Sequence, residues 1–159
     1  MRFEYAVHRT SGLVMHVDDV PNGKRCECIC KNCGDPLLAK NKGKIIGHHF
    51  SHTTKEESRY CRMTQLHMAM QVYFSTRSAI TLPQNSDSVL GTDILVPARK
   101  TTVLNAGMEH RVGPFCADTV LETADGRVLI EVCVTHACED ERVEYYRSNR
   151  IDCIEYFFP

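Results

Sequence analysis

Asp118 and Glu131 stand in two strand-like runs that flank Asp125-Gly126, a dipeptide that favours a two-residue type I′ turn. Such a turn pairs Ala124 with Arg127, Val120 with Glu131 and Asp118 with Cys133. Side chains alternate along a strand, so Asp118 and Glu131 share one face. As diagonal neighbours their Cβ atoms would lie about 7–8 Å apart, close enough for two carboxylates to share one hard divalent cation. The opposite face carries Val128, Ile130, Val132 and Val134, an apolar stripe. A hairpin that buries one face and turns Asp and Glu out on the other is suited to metal-dependent chemistry.

A second constellation lies upstream. Cys30-Lys-Asn-Cys33 is a C-x2-C knuckle followed by Gly34, then come His49-Phe-Ser-His52 and Cys61. Tetrahedral zinc takes four sulfur or nitrogen ligands, and five candidates are present. The expected set is Cys30, Cys33, His52 and Cys61, with His49 as the substitute and Cys26 and Cys28 as competitors. Four protein ligands leave no open position, which makes the expected zinc structural. Residues 26–61 are poor in large apolar side chains and need such an ion to fold. Cys116, Cys133, Cys138 and Cys153 read as small buried hydrophobes; a redox pair or a second metal site among them is the alternative.

These residues need elements to position them. Phe3–His8 and Leu13–Val20 read as short strands. Residues 57–77 carry Met63, Leu66, Met70 and Tyr73/Phe74 at helical spacing. Ala79–Leu82 and Asp93–Val96 suit short strands, with Gln84–Gly91 as loop and Asp93 as a loop or cap residue. The hairpin spans 115–135. Glu139–Asn149 has acids in its first turn and arginines in its last, as a helix dipole prefers. Ile151–Phe158 alternates as a final strand, with Glu155 in a structural role. The order is helix, strands, hairpin, helix, strand. Expected modules are an N-terminal hairpin (1–25), a zinc-ribbon-like module (26–61) and a core (62–159), forming one compact unit overall.

At 159 residues, 43% hydrophobic and 25% charged, the chain suits one globular domain with a small appendage. It lacks a run long enough for a membrane span and an N-terminal signal-peptide core. Nine cysteines then point to a reducing cytoplasm and to metal ligation over disulfides. Net charge is −1, so no global field draws the chain to nucleic acid. Residues 24–62, however, hold nine Lys/Arg against four Asp/Glu, a surface that could touch phosphates.

The knuckle, His49-Phe-Ser-His52, Cys61, Leu66-His67, Ala117-Asp118, Ile130-Glu131-Val-Cys-Val-Thr135-His136 and Ile154-Glu155 together resemble the competence protein CoiA-like nucleases, across roughly residues 28–158. That family is placed in the PD-(D/E)XK superfamily. The resemblance implies an α+β (or α/β) fold with an αβββαβ core and a zinc-ribbon insert. It implies metal-dependent phosphodiester hydrolysis, with Asp118, Glu131 and the Val132 carbonyl holding Mg²⁺ or Mn²⁺. His67, Thr135 and His136 would line the site. The superfamily's lysine, two residues after the glutamate, is here Cys133. Arg142 is the nearest substitute, able to stabilise charge but not to act as a base. On the first helix Gln65 and Gln71 stand where an acid and a lysine are expected. The competing expectations are a DNA-directed nuclease; a catalytically silent fold gripping nucleic acid or a protein partner; and a thiol-based sensor.

Overall fold

The computed structural model describes residues 2–89, 92–134 and 137–158. The chain forms two units, one running to Met70 and one from Gln71 onward. Thr135 and His136 lie outside the described residues.

In the first unit, β1 (Tyr5–His8) pairs antiparallel with β2 (Val14–His16) and with β3 (Cys28–Ile29). The strand expected over Leu13–Val20 stops at His16. There the imidazole accepts the Asp18 N–H and caps a single 3₁₀ turn, Val17–Asp19. β4 (Leu37–Lys40) and β5 (His49–His52) make a separate antiparallel hairpin. Asn41, just past β4, donates to the carbonyls of Val17 and Val20 at 2.7 and 2.8 Å. His48 sits between the Asp18 carboxylate and the Gly43 carbonyl.

The N-terminal hairpin and the cysteine-rich segment share one core. Phe3, Ala6, Val17 and Val20 pack with Cys26, Cys28, Cys30, Leu37, Ala39, Phe50 and Cys61. The cysteine-rich segment thus draws its apolar partners from the first twenty residues.

Helix α1 (Arg59–Ser75) forms where helical spacing predicts it, but its buried stripe is offset. Its buried residues are Cys61, Gln65, Met68, Gln71 and Phe74, while Tyr73 is 44% exposed. Two glutamines sit inside because each answers backbone groups. The Gln65 amide, oriented to satisfy both ends, donates to the Tyr5 carbonyl at 2.6 Å and accepts the Tyr5 N–H.

The second unit is built on a five-stranded sheet of order β12-β11-β10-β9-β6. Its strands are β6 (Ala79–Leu82), β9 (Arg99–Val112), β10 (Phe115–Thr123), β11 (Gly126–Cys133) and β12 (Cys153–Phe157). Helix α2 (Asp140–Ser148) carries the crossover that lets β12 run parallel to β11. Segments Asn85–Val89 (β7) and Thr92–Val96 (β8) pair as a hairpin, so the loop expected over Gln84–Gly91 is largely strand. The architecture is mixed α+β. Among the described residues no helix is long and apolar enough to cross a membrane.

The β10–β11 register differs from the expected one. Thr123 pairs with Gly126 and Thr119 with Ile130. The turn residues are therefore Ala124 and Asp125, and neither has a positive φ, which rules out the primed turn. Gly126, at φ 122°, takes the left-handed position just after the turn instead. Thr123 Oγ1 fastens the bend by donating to the Gly126 carbonyl at 2.7 Å. The slip is two residues, so facing is preserved. Carried one pair further, the register sets Asp118 across from Glu131 rather than diagonal to it.

Candidate functional site

The β4–β5 register explains which histidine joins the cysteines. His52 pairs with Leu37, beside the knuckle, whereas His49 pairs with Lys40 at the far end. Three residues apart on a strand, the two rings point to opposite faces. His49 Nδ1 meets the Gly47 carbonyl at 2.9 Å. His49 is thereby removed as a substitute ligand. The donor atoms of Cys30, Cys33, His52 and Cys61 lie within 4.8 Å of one another.

The knuckle is folded by its own backbone. Gly34 adopts φ 71° and donates to the Cys30 carbonyl, and Cys30 N–H donates to the Asp35 carbonyl, both at 2.9 Å. Asp35, 2% exposed, accepts the N–H groups of Thr53, Thr54 and Lys55 and the Thr54 hydroxyl. Burial would raise its pKa, but these donors hold the carboxyl well below the usual range. One carboxylate therefore ties the knuckle to the chain that follows His52.

Hydrogen bonding and burial move two of these thiols in opposite directions. Burial raises the Cys61 thiol, yet donation from Ser58 Oγ at 3.2 Å and Asn32 Nδ2 at 3.5 Å outweighs it and leaves the thiol at about 6. Cys30 is pushed up to about 12 by burial. His52 Nε2 is buried without a hydrogen-bond partner, an orphan that a metal ion would satisfy. These four residues could hold a metal ion. Cys26 and Cys28 do not compete: their thiols donate to the carbonyls of Leu37 and Cys26 at 3.3 and 3.2 Å.

In the second unit, β11 is buried on both faces, because α2 covers the side expected to meet solvent. Tyr146 packs with Val120 and Leu129 there. Glu131, on the same face and 1% exposed, cannot stay in that setting without partners. Arg142 Nη1 donates to its Oε2 at 3.0 Å and Tyr146 Oη to its Oε1 at 2.7 Å. Burial and the facing Asp118 charge still raise the Glu131 pKa, against the lowering pull of Tyr146 and Arg142. Arg142 also lies 5.4 Å over the Phe115 ring.

Asp118 sits where the sheet loosens. The β9–β10 ladder passes from Ala117–His110 to Thr119–Met108, with Glu109 between them in the left-handed region at φ 50°. Asp118 Oδ2 accepts the Val132 N–H at 2.7 Å, and Gln71 Nε2 donates to its Oδ1 at 3.3 Å. The Val132 backbone thus offers Asp118 its N–H. Gln71 is part of this group, which the helix pattern had not marked. His67 lies one turn earlier on α1 and is half-buried.

Cys133, at the lysine position, is buried and donates to Glu155 Oε1 at 2.8 Å. The same oxygen accepts the Cys138 N–H at 2.7 Å. Burial, first of all, and this carboxylate push the Cys133 thiol up. Cys138 reaches about 11 and Cys153 about 12, chiefly through burial. Cys116 is exposed rather than packed. Tyr146 and the Glu155 contacts escaped the sequence pattern, since neither spacing nor alternation reports what a helix or a parallel neighbour lays over a strand.

No family model, curated protein or solved structure matches the chain.

Proposed function

We propose that the chain is a divalent-metal-dependent nuclease of the PD-(D/E)XK type acting on DNA, with a structural zinc in its first unit. The observation that carries this reading is the β10–β11 register, which continued one pair past Thr119–Ile130 sets Asp118 across from Glu131 on one face. The order β9, β10, β11, α2, β12 supports it as the βββαβ part of an αβββαβ core, with α1 ahead of it across β6 and the β7–β8 hairpin.

In the zinc site, three sulfurs and one imidazole match the donors of structural zinc. In the acidic site, Mg²⁺ or Mn²⁺ would polarise a phosphodiester and supply an activated water. Val132 N–H and Gln71 hold the Asp118 carboxylate in place. Tyr146 fixes one oxygen of Glu131, which leaves the other to Arg142 or to a cation. Arg142, displaced from Glu131, is the group available to bind a phosphate oxygen, where its fork geometry suits it.

A specific observation favours a second reading, a silent nucleic-acid- or protein-binding module. Both Glu131 oxygens already have protein partners, and the lysine position is a thiol. One experiment separates the two. Plasmid and single-stranded DNA are incubated with Mn²⁺ and with Mg²⁺. Cleavage that disappears in Asp118→Asn and Glu131→Gln, with melting temperatures kept, supports the enzyme. Salt-sensitive binding without cleavage in the wild type rejects the nuclease and leaves the module.

A further inference from the structure

Alternation and parallel pairing gather an unused set of donors beside Glu131. Glu131 pairs with Glu155 and Cys133 with Phe157 across β11 and β12. Paired residues of parallel strands share a face, so Cys133 and Glu155 lie on the side of Glu131. Cys138, in the connection to α2, is drawn in by its N–H bond to Glu155. One donor atom from each of Cys133, Cys138 and Glu155 falls within 4.8 Å of the others.

We propose that Cys133, Cys138 and Glu155 form a second metal site, taking one thiophilic divalent cation of the zinc class. Zinc bound at about 2.3 Å to sulfur in a tetrahedron separates neighbouring sulfurs by about 3.8 Å. The three donor atoms, within 4.8 Å of one another, are already at a separation of that order. The Cys133 thiol proton now occupies the place between sulfur and carboxylate that the ion takes. Loading releases that proton and the one on Cys138, and two sulfur–metal bonds and one oxygen–metal bond form. Two protons leave as one dication arrives, so the charge of the cluster is unchanged and the neighbouring Glu131–Arg142 pair faces no new net charge. Three donors leave one tetrahedral position to a ligand from outside this trio, unlike the four-donor knuckle site. The site does not depend on the nuclease reading.

The test is metal stoichiometry on full-length protein purified under reductant without oxygen, then titrated with Zn²⁺ against a chromophoric chelator. The wild type is expected to hold two equivalents per chain. Cys133→Ser and Cys138→Ser drop to one, while Cys61→Ser loses a different equivalent and leaves this one in place. Glu155→Gln keeps an acceptor for the Cys138 N–H and so preserves the local fold; its second equivalent should bind about tenfold more weakly or worse. Cobalt gives an independent readout, because its sulfur charge-transfer absorption should fall in Cys133→Ser. A single equivalent in the wild type that Cys61→Ser removes and Cys133→Ser leaves in place overturns the site. So does a second equivalent untouched by Cys138→Ser and Glu155→Gln, or a Cys133–Cys138 disulfide in place of metal.

Discussion

Glu131 shows how one residue organises the chemistry around it. A carboxylate 1% exposed survives because Tyr146 and Arg142 each supply a donor to it. Such a pair adds little net stability by itself, but removing one member leaves a buried charge uncompensated. Tyr146→Phe deletes only the hydroxyl and should cost about 1–3 kcal/mol in urea unfolding. It should also raise the Glu131 pKa further, because the hydroxyl favours the charged form. An unchanged midpoint would mean that Tyr146 merely packs. Part of this was legible in the sequence. Arg142 is the nearest substitute for the missing lysine, and the fold sets it on Glu131. Tyr146 was not legible, since an aromatic on α2 reads as packing. Gln65 and Gln71 were read as replacements for charged site residues, and only the fold reveals one on a backbone and one on Asp118.

At the scale of elements, parity survived where register did not. The Asp125-Gly126 pair can serve as the two turn residues or straddle the end of the turn. Both arrangements differ by two residues and keep Asp118 with Glu131. His52 was likewise favoured over His49, and opposite facing on a four-residue strand supplies the reason. The fourteen residues of β9 were illegible because Arg99–Val112 lacks strict alternation. The strand serves two partners, β6 along its first part and β10 along its second. Its exit turn depends on Gly113, which adopts φ 59° and lies against Tyr145. A Cβ there would come within 2.0 Å of the Tyr145 hydroxyl. Gly113→Ala should therefore destabilise the protein by about 1–3 kcal/mol, from backbone strain and displacement of Tyr145. A calorimetric melt tests it, and a rise in melting temperature would show the turn to be unconstrained.

At the scale of the molecule, each unit rests on polar anchors as much as on apolar packing, and the first unit should respond to both ends of the pH range. Asp35 has a folded pKa below its unfolded value. Its contribution is present above about pH 4 and is lost as pH falls toward the depressed value. His48 is shifted the other way, first by its bond to Asp18 and then by the Gly43 carbonyl. Its contribution is full below its unfolded value of 6.5 and is lost as pH rises through the higher folded one. Melting temperature against pH should fall on the acid side in wild type but less so in Asp35→Asn, and His48→Gln should flatten the alkaline side. The imidazole needs both of its protons to reach both acceptors. Residues 42–47 lie just before that ring and carry Ile45 and Ile46, which are 99% and 66% exposed. Loss of a proton above the raised His48 pKa removes one of the two bonds beside this stretch, so the two bare aliphatic side chains should loosen in mild alkali before the rest of the unit does.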